Sequence, residues 1–196
     1  MEQREASQDA VMTRIGQAIM LLHGGDREEA RNRLGLLWSE LGAEGGALHR
    51  CTLAHYMADT QDDPGDELAW DLRALTAAEG LDDERAADGP AGASTAGCGP
   101  GGPEGERAGA CGPDAPQTDG ACGERAQEHR DASAVRAFYP SLHLNLAADY
   151  LKLQRPEAAR THLQRARAAA EALADDGYGG GVRAAIDRLE LRMRQG

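Results

Sequence analysis

The sequence predicts an all-helical protein built from antiparallel helix pairs and interrupted by a long internal segment without a core. Three observations predict it. Only 4% of the 196 residues are aromatic, with one phenylalanine and two tryptophans. β-branched and aromatic side chains are what fill pleated surfaces, so a sheet protein or a Rossmann-type α/β fold is nearly excluded. Leucine and alanine recur at helical spacing in seven stretches. From Ala86 to Glu124 there is no Val, Ile, Leu, Met, Phe, Trp or Tyr, while glycine, alanine and proline dominate. Such a stretch cannot bury enough apolar area to offset about 1 to 2 kcal/mol per residue of backbone entropy. A disordered insert is therefore expected over 86–128, between helical halves at 1–85 and 129–196. Closing a longer loop costs only about 0.6 kcal/mol per doubling of its length, so the halves can still pack as one domain.

The first stretch carries Val11, Ile15, Ile19 and Leu22, and Gly24-Gly25 stops it. Asp26 then caps a second helix whose stripe is Ala30, Leu34, Leu37 and Leu41, with Glu28 and Glu29 where the helix dipole favours negative charge. Gly42 to Gly46 breaks it. A third helix holds Leu48, Cys51 or Thr52, Leu53 and Met57, and a fourth holds Leu68, Leu72 and Leu75 after a Pro64-Gly65 turn. Beyond the insert, Pro140 is placed at a first helical turn, followed by Leu142, Leu146, Tyr150 and Leu153 on one face. Pro156 starts the next helix, which runs through Ala159, Leu163, Ala166, Ala170 and Leu173 until Gly177 to Gly181 end it. The last stripe is Val182, Ile186, Leu189 and Met193.

Charge divides along the same boundaries. The formal net charge is -12, made of -10 over 1–85, -5 over 86–128 and +3 over 129–196. The simplest use of an acidic and a mildly basic half is mutual attraction across one core, with separate partners as the alternative. A basic balance of only +3 and the lack of an aromatic platform argue against nucleic acid. The N-terminus carries both signs of charge with no apolar core, and the longest apolar run is Ala18 to Leu22. Neither a secretory signal nor a membrane span is expected, and the expected compartment is the cytoplasm.

Seven helices in consecutive antiparallel pairs, with alanine facing bulky residues, is the layout of a helical repeat array. Asn145-Leu146-Ala147-Ala148-Asp149-Tyr150, then Leu153-Gln154-Arg155-Pro156-Glu157-Ala158-Ala159 with Leu163 and Ala166, resembles a tetratricopeptide repeat. Small residues at Ala147 and Ala159 let the paired helices approach, while Leu146, Tyr150 and Leu163 fill the remaining volume. Gly25 to Ala30 with Leu34 resembles the turn and second helix of another unit, although its first helix lacks the tyrosine. A third candidate opens at Leu53-Ala54-x-x-Met57, and the helix from Val182 would cap the array of about three units. The resemblance implies a non-catalytic module that binds a peptide segment of a partner in a groove lined by the first helix of each pair. It places the ligand-facing residues at Ser141, Leu144, Asn145, Ala148 and Lys152. The Asn145 amide can pair with a peptide backbone and the Lys152 ammonium with a carboxylate, which points to an extended or acidic peptide.

No hydrolase, kinase, zinc-protease or dinucleotide motif is present, so neither catalysis nor a cofactor is expected. The acidic run Asp59, Asp62, Asp63, Asp66 and Glu67 does not match a calcium loop and reads as a solvated turn in which Asp66 or Asp63 caps a helix. His49, Cys51 and His55 share one helix and read as a core cysteine beside partly exposed histidines. Cys98, Cys111 and Cys122 are too widely spaced for a structural zinc site. They nonetheless define a rival class, a metal- or redox-responsive regulator, and a domain that only self-associates is a third.

Overall fold

Seven helices and no strand make up the described part of the computed structural model, which covers residues 2–43, 45–87 and 119–195, with side chains described over 10–43, 45–80 and 133–195. They are α1 (Glu2–His23), α2 (Arg27–Leu41), α3 (Ala47–Ala58), α4 (Pro64–Ala87), α5 (Asp119–Lys152), α6 (Pro156–Ala170) and α7 (Gly177–Gln195). The expectation of a disordered insert falls largely on 88–118, outside the described residues, as do Cys98 and Cys111; the side chains of Cys122 and His129 are outside them too.

Local chemistry sets most of the boundaries. Gly25 takes a positive φ of 91° after α1, and the Asp26 N–H donates back to the Leu21 carbonyl at 2.9 Å. The Asp26 carboxylate accepts the Glu29 N–H at 3.3 Å and so caps α2. At α4 the cap is Asp63, whose Oδ1 accepts from the Gly65 and Asp66 N–H groups at 2.7 and 3.2 Å. Pro64 is thus the first residue of α4 rather than part of a turn, as suits a residue with no N–H to satisfy.

Two boundaries depart from expectation. Pro140 lies inside α5, not in its first turn. An internal proline cannot donate the bond to the carbonyl four residues back and costs roughly 3 kcal/mol. Here packing prevails, because the buried stripe begins upstream at Val135, and the Tyr178 hydroxyl donates to the Ala137 carbonyl at 2.9 Å just before the proline. The glycines from 177 to 181 begin α7 and do not end α6, which stops at Ala170, before Leu173. The Asp176 carboxylate caps that turn by accepting the Gly179 N–H at 2.8 Å. A Cβ on Gly179 would sit 2.2 Å from the Ala174 carbonyl oxygen, so glycine is what allows this close approach.

The core is three clusters in series. Ile15, Leu34, Leu37, Leu53 and Met57 join α1, α2 and α3. Cys51, Leu68, Leu75, Val135, Leu142 and Leu146 join α3, α4 and α5. Ala147, Leu163, Ala166, Val182, Ile186 and Leu189 join α5, α6 and α7. Each helix packs on the next, and α1, α3, α5 and α7 also pack on one another in turn, whereas α2, α4 and α6 make no mutual contact among the described residues. α5 is consequently buried on two faces, Leu142 and Leu146 on one and Ala147 with Leu144, Ala148 and Leu151 on the other. The seam between the acidic and basic halves is mainly apolar. Lys152 to Glu67, at 2.5 Å, is the ion pair described across it, while Arg14–Glu40 and Arg167–Asp187 stay within one half. No helix of the described residues is long and apolar enough to cross a membrane.

Candidate functional site

Two sets of residues on α5 stand out, a buried polar cluster against α3 and α4 and a surface shared with α7. The first arises because α4 carries an acid in its apolar period. Leu68, Asp71, Leu75 and Ala78 form the buried stripe, so Asp71 is turned inward and Leu72, expected there, is 39% exposed. On α5 the stripe of Leu142 and Leu146 continues to Asp149 in the same way. Asp71 and Asp149 are 0% and 1% exposed, and their carboxyls are within hydrogen-bonding reach of each other.

With both ionised, neither could donate, and both Asp71 oxygens and Asp149 Oδ2 would be buried with no donor. A proton on Asp149 removes that conflict. Burial, then the charges of Asp71 and Glu67, push the Asp149 carboxyl up to about 8, so at neutral pH it is an acid that can donate to Asp71. Around the pair, His55 Nδ1 lies 3.7 Å from Asp71 Oδ1 and 3.4 Å from the Asn145 amide nitrogen. Burial opposes a charge on His55, but the Asp71 carboxylate outweighs it and the imidazole is raised above its ordinary value. Lys152 closes the outer side, donating to both Glu67 oxygens at 2.5 Å and to Asp149 Oδ1 at 3.3 Å.

Asn145 and Lys152 therefore sit in this cluster, each with a partner inside the chain. Leu144 and Ala148 pack against the cluster shared with α6 and α7. Ser141 Oγ is 2.7 Å from the Tyr178 hydroxyl, which it meets as the donor, since that hydroxyl gives its own proton to Ala137. The five residues are divided between two neighbourhoods: Asn145 and Lys152 face α3 and α4, and Ser141, Leu144 and Ala148 face α7 and α6. Tyr178 stands over α5 and is close enough to Tyr56 on α3 that, after burial and Asp59, it helps raise that hydroxyl.

Between α5 and α7 a groove of about 510 Å³ is lined by Leu144, Ala185, Arg188, Leu189, Leu191 and Arg192. On the other side of α5, His143 and His162 bring their Nδ1 atoms to 3.2 Å, with Tyr150 stacked on His162. Burial, the neighbouring imidazole and Arg165 push His143 down to about 4. Folding therefore expels a proton here, and this contribution to stability is lost as pH falls from about 6.5 to about 4. His143→Gln is expected to flatten that acid limb in melting curves followed by circular dichroism.

Of the other candidates, Cys51 is fully buried and burial pushes its thiol up to about 12. His49 is buried rather than partly exposed, because it follows the inward face of α3. Of the acidic run, Asp59, Asp62, Asp63 and Asp66 are exposed as expected, Asp62 pairing with Arg27 at 2.9 Å and Arg31 at 2.7 Å, whereas Glu67 is half-buried and held by Lys152. Among the described residues no group of three His, Cys, Asp or Glu side chains is arranged to hold a metal ion. No protein-family model matches the chain, and no curated protein or solved structure matches it.

Proposed function

We propose that the chain is a non-catalytic, tetratricopeptide-like interaction module that takes a peptide segment of a partner protein along the layer formed by α1, α3, α5 and α7. The observation that carries this reading is the contact order: successive odd-numbered helices touch, and the even-numbered ones, held apart from each other, back them. An array of this kind presents one continuous face made of alternate helices. The burial of Leu146, Ala147, Ala159, Leu163 and Ala166 at the positions quoted for the repeat supports it. The inaccessibility of Asp71, Asp149 and Cys51 supports the non-catalytic part. A proton-sharing carboxyl pair can serve acid–base chemistry, yet Asp71 and Asp149 are sealed from any substrate, and a thiol held near 12 is no nucleophile at neutral pH.

Photo-crosslinking tests the face. A benzoylphenylalanine in place of Tyr178, which stands over α5 and is 48% exposed, is expected to trap a partner from native extract. The same group at Leu36 on α2, 64% exposed in the opposite layer, is expected to trap none. Trapping through Leu36 alone, or equally at both, would count against this reading. Light scattering of the purified chain decides whether the trapped species is a second copy.

A further inference from the structure

α7 turns Ala185, Arg188, Leu189 and Arg192 toward α5 at i, i+3, i+4 and i+7 spacing. With Leu144 from α5 and Leu191, 55% exposed, they make an apolar floor with two guanidinium groups on its rim. Acids outnumber bases by 33 to 21, and four of the five other arginines of α6 and α7 are matched, Arg165 being the exception: Arg160 with Glu157, Arg167 with Asp187 and Glu190, Arg183 with Asp175, and Arg194 with Glu190. Arg188 and Arg192 have no ion pair among the described residues. Even the cleft on the far side of α7, which also carries arginines, has Glu190 within it.

We infer that the α5–α7 groove is a docking site for an acidic peptide segment in which bulky apolar side chains alternate with carboxylates. The apolar side chains would cover Leu144, Leu189 and Leu191, and the carboxylates would pair with Arg188 and Arg192, whose planar forks suit them. Charge complementarity selects the occupant. A basic or neutral apolar segment would leave two guanidiniums facing it unpaired, and a nucleic acid would find no aromatic platform in the groove. This inference rests on the proposed peptide-binding reading but reassigns its cation: Lys152 is already held by Glu67 and Asp149, so Arg188 and Arg192 supply the charge.

The test is fluorescence anisotropy of the full chain with a labelled synthetic peptide in which leucine alternates with Asp or Glu. Binding should saturate, weaken with added salt, and fall about tenfold or more in the Arg188→Glu/Arg192→Glu variant, since each lost partner is a charged hydrogen bond. Leu191→Ser removes floor area from an exposed position and should also weaken binding, with circular dichroism unchanged in both variants. Peptides with lysine in place of the acids, or serine in place of the leucines, should not bind. No binding by the acidic probe, equal binding by the double variant, or equal binding by single-stranded DNA overturns the inference. If the probe fails while Tyr178 still crosslinks a partner, this inference falls and the module reading stands; if both fail, both fall.

Discussion

Asp149→Asn is expected to make the protein more stable than wild type by a margin that grows with pH, about 1.4 kcal/mol per unit from about pH 4 to about pH 8. The Asp149 carboxyl is pushed up to about 8 by burial and by the Asp71 and Glu67 charges, whereas an unfolded aspartic acid titrates near 3.9. Folding therefore takes up a proton in this window. The stability tied to that proton is present at low pH and is lost as pH rises through the folded value. Asparagine is the uncharged isostere: its Oδ1 can keep accepting from Lys152 and its amide can donate to Asp71, with nothing to ionise. Melting of wild type and variant side by side reads the effect as a difference, so the opposing titration of His143 cancels. Over pH 5 to 8 the gap between the two melting midpoints should widen steadily as pH rises. A margin constant over that range would show that the two carboxyls do not share a proton.

The pair also marks where the sequence stops being legible. Helix number and order, the Asp26 cap, the Pro156 start and the burial of Cys51 follow from local rules, because a cap or a glycine acts on its own turn. The buried acids do not, because their position is settled by which way α4 turns when α3 and α5 close on it. Reading α4 as Leu68, Leu72 and Leu75 puts the stripe a few tens of degrees away from the one observed, and that rotation trades a leucine for Asp71. The available signal was an acid at i+3 from Leu68 and i−4 from Leu75, repeated by Asp149 at i+3 from Leu146. Lys152 shows the same limit for the binding face. Its position on the helix was readable, but its engagement by Glu67, 85 residues away in sequence, belongs to the tertiary fold. Pro140 and the glycines of α7 depart from their local preferences because contacts from Val135 and Tyr178, and a cap from Asp176, outweigh them.

Leu146→Ala tests whether the two halves fold as one unit. Leu146 lies in the second half, is fully buried, and belongs to the cluster that joins α5 to α3 and α4. Deleting its isobutyl group removes apolar burial and leaves a cavity, which costs about 2 to 5 kcal/mol. Both tryptophans of the chain are in the first half, where Trp38 and Trp70 meet edge to face at 5.1 Å and are covered by Arg50 and Arg73. Their fluorescence therefore reports the first half, whose two rings pack on the same cluster as Leu146. If the three core clusters are one cooperative structure, the tryptophan transition in urea moves to lower denaturant by the same amount as the circular dichroism transition, with an unchanged slope. If the halves are independent, the tryptophan midpoint stays where it is and only the dichroism curve broadens. Trp38 and Trp70 pack both on the cluster of Leu146 and on the cluster of Leu53, so the loss at Leu146 reaches them directly and is passed on to α1 and α2. A shift in both probes is the expected result.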